Sequence, residues 1–392
     1  MFDKNYFILF FLLFHFSYEL RNVGIMAEEE DKKQGNINVK PPAFSKISGF
    51  YENDFKLKLY SEDDCKIYYT LDSTDPRNST TSKQYKDYIF IYDRSSEPNL
   101  YSAIGTNDSS PISIATSAKY NVPFYPVDKA MIVRAVTKNS EGVFSEVITK
   151  TYFITTEDLY KYKDQTVLSI VTNPENLFDP DFGIYVTGNM YQEAKKKAEE
   201  EGTDFGRGGG IGRAICNYRM RGKEWEREAF VTIIDKGEIH LQQKLGLRIK
   251  GAFTRNEPGK SFNLFAKQKY GKSTIETDLL KDNYDIKGNL ISSYKTLSLR
   301  NVFDEDRIRD KYGRDLYYMR KDLTSISTKN AVVFLNGEYW GFYLIQEKVD
   351  NSFISNNYYF QVKILLWLNL IKSKMGLERN TITLNIFVVI IH

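Results

Sequence analysis

Alternation of apolar and polar residues dominates the first part of the chain. Short runs such as "FKLKLY" (55–60), "KIYYTL" (66–71), "AMIVRAVT" (130–137) and "VITKTYFI" (147–154) follow a period of two and are split by turn residues, the pattern of half-buried strands. Strands at this spacing, with no helical period between them, predict a two-sheet sandwich over about 36–154. "YTLDSTDP" (69–76) reads as a strand entering a turn in which Asp72 and Asp75 accept backbone N–H groups. The insertion at about 82–122 reads as a long loop.

After the polar connector "TTEDLYKYKDQ" (155–165) the pattern changes. A new apolar strand, "VLSIVT" (167–172), is followed by "YQEAKKKAEEE" (191–201), whose opposite charges three and four residues apart predict a solvated helix. "GRGGGIGR" (206–213) tempts a phosphate-loop reading, but it lacks the order of a P-loop and no strand directly precedes it. It reads as a flexible loop. In "LQQKLGLRIKGAFTRNEPGKSFNLFAK" (241–267), two alternating runs joined by "TRNEPG" predict a β-hairpin. Its apolar face carries Leu245, Leu247 and Ile249, and Arg248 and Lys250 lie on the other. "NAVVFLNGEYWGFYLIQEKVD" (330–350) predicts a second hairpin turned at "NGEYWG" and ending near Glu347. Between the two, Ile308, Tyr312, Leu316 and Met319 have helical spacing.

Composition narrows the class. With 392 residues, 42% hydrophobic and 27% charged, the chain is long enough for two or three globular domains. Its 28 Tyr and 26 Phe favour β-rich or α+β structure. A net charge of +3 gives no basic field for nucleic acid. Cys65 and Cys216 form neither a disulfide framework nor a zinc spacing. The three histidines, His15, His240 and His392, make a histidine metal site or triad a poor candidate.

Both ends stand apart. "YFILFFLLFHF" (6–16) makes residues 1–25 a signal-like or anchor-like segment, or a mis-start upstream of Met26. Residues 361–392 form an apolar tail that reads as an edge strand, an interfacial segment or out-of-frame sequence.

Two resemblances rest on these motifs. "CKIYYTLDSTDP" with "AMIVRAVTKNSEGVFSEVITKTYFI" resembles the β-sandwich module found C-terminally in chitobiases and hexosaminidases, with Ser73 where that pattern usually has glycine. It implies an Ig-like sandwich acting as a spacer or carbohydrate binder. "VLSIVTNPENLFDPDFGIYVTGN", "KEWEREAFVTIID", "GLRIKGAFTRNEPGKSFNLFAK", "KTLSLRN", "RIRDKY" and "VVFLNGEYWGFYLIQEKVDNSFISNNY" together resemble the spore coat CotH kinase family. That resemblance implies an atypical protein-kinase-like domain over about 167–360, using ATP and Mg2+ to phosphorylate Ser or Thr on a surface or spore coat protein. Lys260 then falls at the nucleotide lysine and Glu347 at its glutamate, and Arg248, Arg255 and Arg309 match basic positions, so these five are the candidate cofactor-binding residues. The family's metal-binding and catalytic aspartates belong to a later "WDxD"-like motif. Residues 361–392 contain no aspartate, so the expectation is an incomplete, inactive kinase domain with no catalytic or metal-ligating residue identified. The alternative is a non-catalytic surface protein that binds carbohydrate or serves as a scaffold.

Overall fold

The computed structural model describes residues 39–62, 64–105, 123–154, 159–203, 215–257, 259–301, 309–319 and 326–359. The leader-like segment 1–25, the insertion from 106 to 122, the glycine run 206–213, Ile308 and the tail 361–392 lie outside the described residues. Strands predominate, with four α-helices among the described residues.

The first strands are β1 (Ala43–Phe44), β2 (Gly49–Tyr51), β3 (Phe55–Leu57), β4 (Leu59–Tyr60), β5 (Lys66–Thr70), β6 (Lys83–Gln84), β7 (Ile89–Ile91), β8 (Met131–Lys138) and β9 (Ile148–Ile154). Five form one sheet in the order β2-β9-β8-β5-β6, while β3 pairs with β7 and β1 with β4. Leu57, Ile89 and Ile91 of the β3–β7 ribbon pack with Ile67, Met131, Val133 and Tyr152 of the five-stranded sheet. The period-two reading has its physical basis in β7, where Ile89 and Ile91 are buried and Phe90 is exposed, whereas the central strand β8 is buried on both faces.

Asp72 accepts the backbone N–H of Thr74, and Asp75 that of Arg77, the turn chemistry read from "YTLDSTDP". Between them Ser73 is fully buried with φ at 63°. That left-handed conformation is why glycine suits this position. The Ser73 carbonyl accepts from the Arg134 guanidinium at 2.7 Å, and its hydroxyl has no partner among the described residues.

The remaining strands are β10 (Thr166–Val171), β11 (Arg227–Asp235), β12 (Glu238–Lys250), β13 (Ser261–Phe265), β14 (Ile275–Glu276), β15 (Ser293–Tyr294), β16 (Thr296–Asn301), β17 (Thr328–Leu335) and β18 (Glu338–Glu347). Seven close into a barrel in the order β10-β11-β12-β13-β16-β18-β17. Every neighbouring pair is antiparallel except β10 and β17, whose parallel register sets Val167 opposite Val332 and closes the ring. Both expected hairpins are present, with Leu247 opposite Leu264 and Val333 opposite Gly341. The second turns at Asn336 and Gly337, with φ of 50° and 88°, the pair of positive angles a two-residue hairpin loop requires. A Cβ on Gly337 would lie 2.7 Å from the Ala130 carbonyl, so the close approach also demands glycine.

The barrel interior is a packed core rather than a channel. Leu168, Val231, Ile233, Leu245, Leu247, Ile249, Phe262, Leu264, Leu297, Leu299, Val333 and Ile345 fill it. Helices α1 (Glu175–Phe178), α2 (Asn189–Glu200), α3 (Arg309–Met319) and α4 (Asn351–Tyr358) decorate the strands. On α2 the expected ion pairs form, Lys196 with Glu200 and Lys197 with Glu201; on α3, Tyr312 is 61% and Leu316 46% exposed.

The hairpin tip is also the point where residues 100–102 and 128–130 grip the barrel. The Ala130 amide donates to the Gly337 carbonyl, and that of Tyr339 to the Asp128 carbonyl. The buried Glu338 carboxylate accepts the N–H groups of Leu100, Tyr101 and Ser102 at 2.6, 3.1 and 2.7 Å.

Ser73→Gly removes both the left-handed strain and the orphaned hydroxyl. Glycine's greater chain entropy offsets part of the gain, leaving a stabilisation of about 1 kcal/mol. A urea denaturation midpoint that rises tests this; a fall would show that Ser73 contributes more than the geometry allows.

Candidate functional site

The β12–β13 hairpin carries Lys260 to one end of the barrel. Lys260 precedes β13, and period two directs its side chain inward with Phe262 and Leu264. It is completely inaccessible. Its ammonium donates to the carbonyls of Arg255 at 3.1 Å and Glu257 at 2.9 Å, both from the connecting loop. It also lies 3.9 Å from the centre of the Tyr218 ring and 5.2 Å from that of Tyr185, where the ring faces attract a cation. The backbone is pinned as well, since the Lys260 N–H donates to the Tyr185 hydroxyl and the Tyr343 hydroxyl donates to the Lys260 carbonyl. The Trp340 indole donates to the same Tyr185 hydroxyl at 2.9 Å. Burial lowers the lysine to about 7, because the charged form loses hydration that two carbonyls and two rings only partly replace.

Glu347 lies at the opposite end. Its row in the sheet runs Leu264, Leu297, Glu347, and Leu264 is four residues beyond Lys260, about 13 Å along the strand. The Glu347 carboxylate accepts from the Asn283 amide at 2.8 Å and the Asn357 amide at 3.5 Å. Burial pushes its carboxyl above the ordinary value. Phe262, Leu264, Leu297, Leu299 and Ile345 fill the barrel between the two ends. Lys260 and Glu347 are not paired in this structure.

The arginines divide in the same way. Arg255 is buried and spends its guanidinium on four backbone carbonyls, those of Gly251, Tyr218, Met220 and Ile249. Burial, with Arg221 and Arg219 nearby, lowers it to about 10. It holds the Lys260 loop to the segment bearing Tyr218. Arg248 points to the outside of the barrel, stacks 4.0 Å from the Phe265 ring and pairs with Glu226 at 2.8 Å. Arg309 opens α3 and is exposed. Lys260 and Arg255 are therefore brought together, and Arg248, Arg309 and Glu347 are placed elsewhere.

Sequence reading missed Glu226. Its side chain is wholly buried, and its carboxylate gathers Arg248, Lys267 and Lys269 together with the Tyr270 hydroxyl. Burial pushes this carboxyl up, but the hydrogen bonds from Lys267, Lys269 and Tyr270 outweigh it and hold the group down to about 2. Nothing local distinguishes Glu226 in "KEWEREAF"; it stands just before β11, and its partners come from β12 and from the segment that follows β13. Cys216 is also buried beside the lysine cage, and it and Cys65 are free thiols.

Residues 247–380 match the family model of the CotH kinase protein. The match covers less than half of the chain; it opens within β12, later than the resemblance read from residue 167, and runs past Tyr359 to 380. No curated protein matches the chain. The CotH-matching segment contains Lys260, Glu347 and all three candidate arginines. Among the described residues no group of three or more His, Cys, Asp or Glu side chains is placed to hold a metal ion. With Lys260 turned onto backbone carbonyls as well, the described residues in this arrangement do not fit an ATP–magnesium complex.

The low pKa of Lys260 has a thermodynamic consequence. Between about pH 7 and the unfolded lysine value of about 10.4, the unfolded chain binds more protons, so stability rises with pH across that window. Lys260→Met is expected to flatten this rise. Urea unfolding of both proteins at about pH 7 and about pH 8.5, where tyrosines remain almost wholly protonated, checks it. An unchanged slope would mean that the ammonium is not held in the cage.

Proposed function

We propose that the chain is a CotH-type protein kinase relative whose own phosphoryl transfer is absent or residual. The family reading assigns it ATP-dependent phosphorylation of Ser or Thr on a surface or spore coat protein, with ATP and Mg2+ as the reactants' partners and the cell surface or coat as its setting. The match over 247–380 supports the kinase-related part. The observation that carries the inactive part is the Lys260 cage: a lysine that is to hold nucleotide phosphates must present its ammonium to them, and here both carbonyls and rings occupy it. The core between Lys260 and Glu347 adds a second obstacle, because a lysine–glutamate pair positions the amine only when the two touch.

None of the residues described above is assigned a catalytic role. Asp72 and Asp75 serve a turn, and Glu226 neutralises cations of the outer barrel face. No residue in 361–392 is an aspartate, so that stretch cannot supply carboxylates of the aspartate type expected for magnesium.

Incubation of the purified chain with radiolabelled ATP and Mg2+ tests the proposal. The expected result is neither autophosphorylation nor phosphate release above the level of Lys260→Ala. Turnover that the Lys260→Ala substitution abolishes would overturn it.

A further inference from the structure

Strand β7 carries an unexplained row of aromatic rings. Ile89 and Ile91 point into the core, whereas Tyr88, Phe90 and Tyr92 alternate outward and are 42%, 48% and 37% exposed. Exposed aromatic rings three deep on one strand cost hydration free energy, and contiguous patches of this kind mark binding surfaces. The rings of Phe90 and Tyr92 are nearly parallel, with centres 5.8 Å apart and planes at 18°. Lys56 lies over Tyr88 at 4.3 Å, which orients that ring. From Tyr88 to Tyr92 the row spans about 13 Å, the length of a short oligosaccharide.

The row is one wall of a cleft of about 370 Å³, whose other side is formed by the hairpin tip Asn336–Glu338. Polar groups line the remainder, including Asp72, Thr81, Lys83, Arg94 and Glu97. The charges largely cancel. Arg94 pairs with Glu97 at 2.8 Å, and Glu97 also accepts from the Tyr92 hydroxyl at 2.8 Å. Glu338 is taken up by three backbone amides, and the Lys129 ammonium donates to the Glu97 and Val127 carbonyls and to Asn99.

The geometry points to a binding site for a neutral polysaccharide chain along β7. A pyranose ring has a C–H face that packs on an aromatic ring and a rim of hydroxyls that needs donors and acceptors. Both are present here: three outward rings in line, and hydroxyl, carboxylate and amine groups beside them. A near-neutral lining disfavours a polyanion, which would need a surplus of cations. An apolar peptide would strip water from the charged and hydroxyl groups of the lining without offering hydrogen bonds in exchange. This site is independent of the kinase reading, because it uses none of the CotH-matching residues except those of the hairpin tip.

Calorimetric titration of the full chain with cellohexaose, chitohexaose, xylohexaose and laminarihexaose tests it. Saturable binding of at least one is expected, weakened tenfold or more by Phe90→Ala and by Tyr88→Ala, with unchanged melting temperature in both variants. Binding of none of the four overturns the proposal. So does equal affinity in the variants, or a preference for heparin over every neutral chain.

Discussion

Lys260 is held where it is by the register of a closed barrel. In an open sheet a strand can slide or tilt to bring two side chains together. In a ring of seven strands each residue's height is fixed by neighbours on both sides. Leu264, Leu297 and Glu347 pair in one row, while Lys260 stands four residues before Leu264, just ahead of β13. The aliphatic and aromatic layers between them are tightly packed, and interiors of this density do not deform continuously. The separation of the two candidate residues is therefore a property of the whole fold rather than of their local loops.

Lys260, Glu226 and Glu338, three of the buried charged side chains, are accommodated in three ways. Lys260 donates to loop carbonyls and lies against the tyrosine rings, and burial still leaves its protonation costly. Glu226 is surrounded by three cations and a phenol, so its ionised form is strongly favoured. Glu338 uses successive backbone amides, a concave arrangement that suits an anion, and so fastens the 100–102 segment to the β17–β18 tip. Of these, the Lys260 arrangement is the one that constrains function, because it withholds the amine from any ligand in this conformation.

The hairpins were legible in the sequence because their signals are local. Period-two alternation around Leu247 and Phe262, and the Asn336–Gly337 pair with its two positive φ angles, act over a few residues. The Asp72 and Asp75 turn was legible for the same reason. Barrel closure was not, since it depends on Val167 meeting Val332 in parallel, and nothing near either valine encodes that partner. The lysine cage was equally hidden: Tyr185 reaches Lys260 across 75 positions, and Arg255 is diverted to Tyr218 and Met220 by a loop contact without sequence periodicity. The helical spacing around Tyr312 did predict α3. It did not predict that Tyr312 and Leu316 would stand exposed.

The sequestration of Lys260 is open to a direct chemical measurement. The native chain is treated with an ATP acyl phosphate, which acylates lysines at the nucleotide phosphates, and labelled positions are read by peptide mass spectrometry. The cage predicts that Lys260 stays unmodified in the native protein and is labelled only after denaturation, while exposed lysines such as Lys196 react in both. Selective labelling of native Lys260, suppressed by excess ATP, would contradict the account.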